Sequence, residues 1–377
     1  MARTKLHELS DFGQSLWLDY ISRSLLETGK LKNLIDAGLR GMTSNPTIFN
    51  QSISESQDYD DKIVQLKEAG RTTFEIYDEL TIRDVQEAAD FFKPVHEATQ
   101  GLDGYVSLEI NPQLANMVKE QVWEGKRLFK KVNRSNVMIK VPSTKSGFPV
   151  IEELLGEGIP VNVTLIFSLT QYQDTVRAFF AGLERLAQKK PDLGQVRSVA
   201  SVFVSRIDTA TDKLLEEKIT PESDPVVKSL LSKLKGQAAV ANSRLIFQEF
   251  KTQFEGPRFK SLQQKGAFEQ RVLWASTGTK NPQFSDIKYV TELMSRPTVN
   301  TVPEKTLNAF LDHGVIQEAL NGEARGAENL FDSLAEWGID IDQICLKLLS
   351  DGVAAFEKSF AELLVSIEQK AQKLCAK

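Results

Sequence analysis

Lys140 lies near the carboxyl end of the run Asn136-Val137-Met138-Ile139-Lys140-Val141-Pro142-Ser143-Thr144. Alternation puts Val137, Ile139 and Val141 on one face and Met138 and Lys140 on the other, as in a short β-strand bounded by turn-formers. A buried strand rarely carries a cation, because desolvating an ammonium costs several kcal/mol. The same cost makes a buried lysine chemically useful. Desolvation favours the neutral amine, which attacks a carbonyl and forms a Schiff base. A strand-end lysine with its head group in water would do none of this, so its neighbours decide the reading.

Other strand-like runs also break their apolar pattern at the carboxyl end. Asp19 closes the run 15–19, and Thr43-Ser44-Asn45-Pro46 follows 39–43. Glu109 lies near the end of 105–110. The run 160–165 alternates Asn162 and Thr164 with β-branched residues, and 199–203 contains Ser201, with Arg206 just beyond. Ser276-Thr277-Gly278-Thr279-Lys280 closes 272–276, and Asn300 lies within 298–302. Each has a bland reading: Asp19 as a helix cap, Asn45 as a turn residue, Glu109 as an exposed acid. Seven or eight strands each offering a polar group at the same end is hard to explain as packing.

The residue types narrow the chemistry. His7, His96 and His313 are the only histidines, and none ends a predicted strand, so histidine triads and histidine metal sites lack parts. No glycine-rich fingerprint follows a strand. An amine, two acids and amides remain, which are the parts of a Schiff-base aldol reaction: a nucleophile, a group to move a hydroxyl proton, and a second carboxylate to handle water. Such a reaction implies no metal or organic cofactor.

Eight strand-like runs must hold these groups. Between them lie helix-period segments at 31–37, 112–132, 150–156 and 169–189. A β-then-α alternation repeated eight times predicts an α/β fold, the closed parallel (β/α)8 or TIM barrel, with inward side chains meeting at the carboxyl-end mouth. Two long connections, about 50–103 and 208–268, read as helical insertions. The first carries the capping-box sequence Thr72-Thr73-Phe74-Glu75; in the second, a helix over 208–218 and a turn-rich stretch precede a long helix reaching about Phe254. A helical tail follows at about 303–377, where Val353, Phe356, Phe360, Leu363, Leu364 and Ile367 form an apolar stripe suited to core packing or to a subunit contact in a homodimer. The expectation is one barrel domain over 1–377.

With 377 residues and 41 % hydrophobic content, the chain can build a sizeable core. Its net charge of −5 includes no basic run, which argues against nucleic-acid and acidic-membrane partners. An anionic small-molecule ligand would need a few local cations. Cys345 and Cys375 have no metal spacing and fit a reduced, intracellular protein. No signal-like leader or apolar run long enough to cross a membrane is present, so a cytoplasmic location is expected.

The motifs Leu18-Asp19, Thr43-Ser44-Asn45-Pro46-Thr47, Leu108-Glu109-Ile110, Ile139-Lys140-Val141-Pro142-Ser143-Thr144, Asn162-Val163-Thr164-Leu165-Ile166-Phe167-Ser168, Ser201-Val202-Phe203-Val204-Ser205-Arg206 and Gly278-Thr279-Lys280 occur in this order. Together they resemble the transaldolase family, in its longer bacterial type. The resemblance implies transfer of a dihydroxyacetone unit from sedoheptulose 7-phosphate or fructose 6-phosphate to glyceraldehyde 3-phosphate or erythrose 4-phosphate, in the pentose phosphate pathway. It implies Lys140 as the Schiff-base lysine, Asp19 as the base for the C4 hydroxyl, and Glu109 with Thr164 as handlers of water. Asn45 and Asn162 would hold hydroxyls, Ser201 would line the site, and Arg206 and Lys280 would bind phosphate. Ser44, Val202 and Lys280 depart from the shorter branch, which has threonine, proline and a second arginine there; lysine offers a point charge without arginine's fork. A sugar-phosphate aldolase of the same barrel family, which cleaves without transferring, is the nearest rival. A non-catalytic sugar-phosphate-binding barrel is the second.

Overall fold

Each alternating run becomes a parallel strand: β1 Gln14–Asp19, β2 Gly41–Thr43, β3 Val106–Glu109, β4 Val137–Pro142, β5 Val161–Ile166, β6 Ser198–Phe203, β7 Arg271–Ala275 and β8 Thr298–Val302. In the computed structural model, which describes residues 3–321 and 324–376, the strands pair in sequence order and β8 closes onto β1. The fold is the expected (β/α)8 barrel. Strand ends move by at most two residues from the pattern-based reading, because hydrophobic alternation marks the paired region while turn residues only approximate its limits.

Two helical expectations are corrected. The segment 112–132 is not one helix: a 3-10 turn, Pro112–Leu114, is followed by a helix over Val118–Val132. Met117 between them has φ −115° and ψ 89°, outside the helical region. The long helix ending at Phe254 is two, Pro225–Leu234 and Ala238–Phe254. Gly236 separates them with φ +70°, a conformation glycine adopts at little cost, and its N–H donates to Asp212 Oδ1 at 2.8 Å. The capping box at Thr72 and Glu75 is formed as read, opening the helix Thr73–Ala98.

The barrel interior differs at its two ends. Arg271 pairs with Asp103 at 2.8 Å at the amino-terminal end, and Ser15 Oγ and Trp17 Nε1 donate to the same carboxylate. Gly41 makes room for Trp17: a Cβ there would lie 2.6 Å from the indole. Buried apolar side chains such as Met138, Val199 and Leu273 lie between this network and the polar mouth. Aliphatic side chains therefore fill part of the barrel interior as well as its outer, helix-facing shell.

The C-terminal helix, Ile341–Cys375, runs against the first insertion. Lys67 pairs with Glu368 at 3.0 Å, Lys370 with Asp60 at 2.8 Å, and Thr47 Oγ1 donates to Ser359 Oγ at 2.9 Å. Phe356, Phe360, Leu363 and Ile367 of its stripe are buried, while Val353 and Leu364 are partly so. Cys345 is a buried free thiol and Cys375 an exposed one. Among the described residues no helix is long and apolar enough to cross a membrane.

Candidate active site

Register brings the polar strand ends together. Lys140 stands opposite Glu109 on β3 and Asn162 on β5, Asp19 opposite Thr43, and Pro142 opposite Thr164. Asp19, Thr43, Asn45, Lys140, Thr164, Ser201, Arg206 and Lys280 all line a cavity of about 280 Å³ at the carboxyl-end mouth. Glu109 lines a small adjoining pocket with Phe356, which borders both spaces.

Lys140 is 4 % exposed. Its Nζ donates to the Ser44 carbonyl at 3.0 Å and stands 3.6 Å from Glu109 Oε2. A buried pair at this distance, with further polar partners, is what a cation needs to persist in a strand. Glu109 is also buried, so it is no ordinary surface acid. Burial raises its carboxyl to about 7 against the opposing pull of Lys140. Its Oε2 and Thr164 Oγ1 are buried without hydrogen-bond partners. Buried polar atoms are nearly always satisfied, so two orphans facing the space around one lysine mark a position for a bound polar group.

Asp19 caps no helix; Ser22 performs that role for the next one. Asp19 Oδ1 accepts a hydrogen bond from Thr43 Oγ1 at 2.7 Å, and burial raises its pKa while Lys140, Thr43 and Arg206 oppose the rise. Asn45 serves twice. Its Oδ1 caps the helix Pro46–Glu55 through Ile48 N at 3.0 Å, and its side chain lines the cavity. Asn162 is fully buried one layer down, where its amide donates to Ser107 Oγ at 3.0 Å and accepts from Ser201 Oγ at 2.6 Å. Its position is that of a residue orienting Ser201, with one amide hydrogen left over.

Arg206, the second residue of the helix Ser205–Ile219, has no carboxylate within 4 Å among the described residues, and its guanidinium lies 5.3 Å from the Phe203 ring. Lys280 likewise has no acid partner among them; burial lowers its pKa and Arg206 lowers it further. Two cations lining one cavity, neither with a carboxylate within 4 Å among the described residues, favour an anion there.

Backbone strain lies beside these groups. Leu165, just after Thr164, has φ +59°, and the β5–β6 register shifts between Val163 and Ile166. Ser276, which lines the cavity, has φ +55°. Each such non-glycine conformation costs about 1–3 kcal/mol and is held by its surroundings. Gln171 does part of that holding: its Nε2 donates to the Leu165 carbonyl, the Ser143 carbonyl and Ser143 Oγ.

Sequence reasoning misassigned or missed three groups. Asn300 points outward, where it accepts from Thr277 Oγ1 at 2.8 Å and donates to the Tyr289 carbonyl at 3.2 Å. Thr301 faces in instead and meets Thr43 Oγ1 at 2.7 Å. In the run Thr298-Val299-Asn300-Thr301, both faces carry polar residues, so alternation alone leaves the inward face open. The apolar stripe predicts core or subunit contact for Phe356, which is buried and also walls the cavity. No local signal identifies it, because a stripe says that a helix face is covered and not by what.

The chain matches the family model for transaldolase/fructose-6-phosphate aldolase over residues 16–367. It is 41 % identical to a transaldolase of Trichodesmium erythraeum over 99 % of each chain. It is 44 % identical to one of Saccharopolyspora erythraea, covering 97 % of this chain and 98 % of that one. A transaldolase of Mycobacterium ulcerans is 43 % identical over 96 % of each chain.

Proposed function

The chain belongs to the transaldolase/fructose-6-phosphate aldolase family and is an enzyme of the transaldolase kind, and we propose that its chemistry runs through Lys140 at the barrel mouth. Lys140 Nζ attacks the C2 carbonyl of a ketose phosphate, fructose 6-phosphate or sedoheptulose 7-phosphate, and water leaves to give the Schiff base. Asp19 takes the C4 hydroxyl proton. The C3–C4 electron pair moves toward the imine, the C3–C4 bond breaks, and an aldose phosphate departs. The remaining three-carbon enamine adds to the aldehyde of erythrose 4-phosphate or glyceraldehyde 3-phosphate, and Asp19 returns the proton to the new hydroxyl. Hydrolysis of the imine then frees Lys140.

Glu109 and Thr164 hold the water exchanged in imine formation and hydrolysis. The observation that carries this reading is the pair of buried orphan oxygens, Glu109 Oε2, 3.6 Å from Lys140 Nζ, and Thr164 Oγ1, whose residue lines the mouth cavity with Lys140. Asn45, capped through its oxygen, offers its amide N–H to a substrate hydroxyl. Ser201 lines the site with Asn162 orienting it, and Asn162's remaining amide hydrogen is available to the same fragment. Arg206 and Lys280 take the phosphate. A helix amino terminus beside Arg206 adds a favourable dipole for the anion. The step belongs to the non-oxidative pentose phosphate pathway, in the cytoplasm, and a homodimer suits the enzyme.

Transfer and simple cleavage differ in the fate of the enamine. The test is fructose 6-phosphate with and without erythrose 4-phosphate, following free dihydroxyacetone and sedoheptulose 7-phosphate. We expect sedoheptulose 7-phosphate to form at least 100 times faster than dihydroxyacetone is released. Comparable release of dihydroxyacetone, whether or not the acceptor is present, would identify an aldolase instead.

A further inference from the structure

A second cavity, of about 350 Å³, opens at the opposite, amino-terminal end of the barrel. Met138, Val199 and Arg271 line it, while Lys140, Ser201 and Ala275 on the same strands line the mouth cavity. The two spaces are therefore back to back, a residue layer or two apart. This one has apolar walls from Met138, Val199, Ala267 and Pro297, and two exposed apolar side chains, Phe268 and Leu102, stand at it.

Its charged groups are not paired with each other. Arg197 is 6 % exposed, and its Nη atoms donate only to the backbone carbonyls of Gly194 and Gln100. Its Nε is buried without a partner, and the Phe268 ring centre lies 3.5 Å from the guanidinium carbon. Among the described residues no carboxylate comes within 4 Å of it. Glu269 lines the same cavity, also without an ion pair among them; burial raises its pKa, with Arg271 opposing. Arg271 itself is engaged by Asp103, Ser15 and the Leu102 carbonyl. A half-buried acid and a buried guanidinium in one largely apolar cavity, neither with an ion-pair partner among the described residues, are costly unless something answers both.

We propose that this cavity is a second small-molecule site, taking a dipolar organic acid with an apolar body, of which an apolar amino acid is the simplest. The carboxylate meets Arg197, the ammonium meets Glu269, and the side chain lies between Met138, Val199 and Pro297. The volume is at the small end of the range for ligand pockets and suits such a molecule.

Titration calorimetry with L-phenylalanine tests the site against two truncated probes, 3-phenylpropionate without the ammonium and phenethylamine without the carboxylate. The expected result is saturable 1:1 binding of L-phenylalanine, weakened at least tenfold in either probe. Arg197→Met and Glu269→Gln each weaken it to the same degree. Ala267→Leu, which fills the cavity, abolishes it in a protein with unchanged circular dichroism, so the result does not depend on Arg197→Met folding. Lys140→Ala binds as the parent does. Absence of saturable binding to the folded parent, equal binding of either truncated probe, full binding by Ala267→Leu, or displacement by fructose 6-phosphate would each overturn the proposal.

Discussion

Glu109 sits in an environment far from water, and its chemistry follows that environment. Its carboxyl sits at about 7 against an ordinary value of 4.5, through burial beside Lys140. Between those values the folded protein holds a proton that the unfolded chain has released. The stability contributed by this group is therefore present below the window and lost as pH rises through it. Glu109→Gln should accordingly gain in melting temperature relative to the parent as pH rises from 4 to 8. A melting difference that does not change with pH would contradict this assignment. The same substitution should slow Schiff-base formation, because the carboxylate proposed to hold the exchanged water is gone. At the other side of the mouth, the proposed mechanism divides the phosphate between the Arg206 fork and the Lys280 point charge. Arg206→Met should raise KM for fructose 6-phosphate by about 10- to 100-fold, as loss of a charged hydrogen bond predicts, while Lys280→Arg should lower it. Neither change should affect unphosphorylated fructose, and a penalty that persists with fructose would remove these residues from phosphate binding. The acids and the lysine were legible in the sequence as polar interruptions of strands, and Arg206 as a cation just beyond one. Thr301 was not, since Asn300 beside it offered an equally polar face.

Elements hold these residues at spacings that the strands alone do not set. Gly147 opens the helix Gly147–Gly156 directly after the strand that carries Lys140. A Cβ there would lie 1.9 Å from the Pro142 carbonyl oxygen, a backbone atom that cannot turn aside. Gly147→Ala should therefore lower the melting temperature by several degrees and push the end of β4 outward. Because displacement of a reacting group by about 1 Å can cost 10²-fold in rate, kcat should fall by at least tenfold. A variant with parental kcat and stability would mean that the helix start adjusts freely. The eight strands were legible because each survives as a short apolar or alternating run bounded by turn residues. The break at Met117 and the divided helix around Gly236 were less so, since helix-period residues continue across both and only a local φ/ψ ends the helix.

The whole molecule divides its barrel between a polar mouth and an amino-terminal end braced by the Asp103–Arg271 pair. The class of fold follows from a strand-and-helix alternation that a reader of the sequence can count. The course of the C-terminal helix does not. Its contacts with Asp60, Lys67 and Thr47 join segments about 300 residues apart, and no local pattern encodes such a pairing. That helix brings Phe356 to the cavity, so the mouth is completed by the end of the chain. All of this arrangement centres on one buried amine. The most direct test is borohydride reduction in the presence of fructose 6-phosphate, followed by peptide mass spectrometry. The account predicts a reduced three-carbon adduct on the peptide containing Lys140, discharged when erythrose 4-phosphate is added before the reductant and absent from Lys140→Ala. A folded, substrate-binding protein that yields no adduct, or one that carries it on another lysine, would contradict the account.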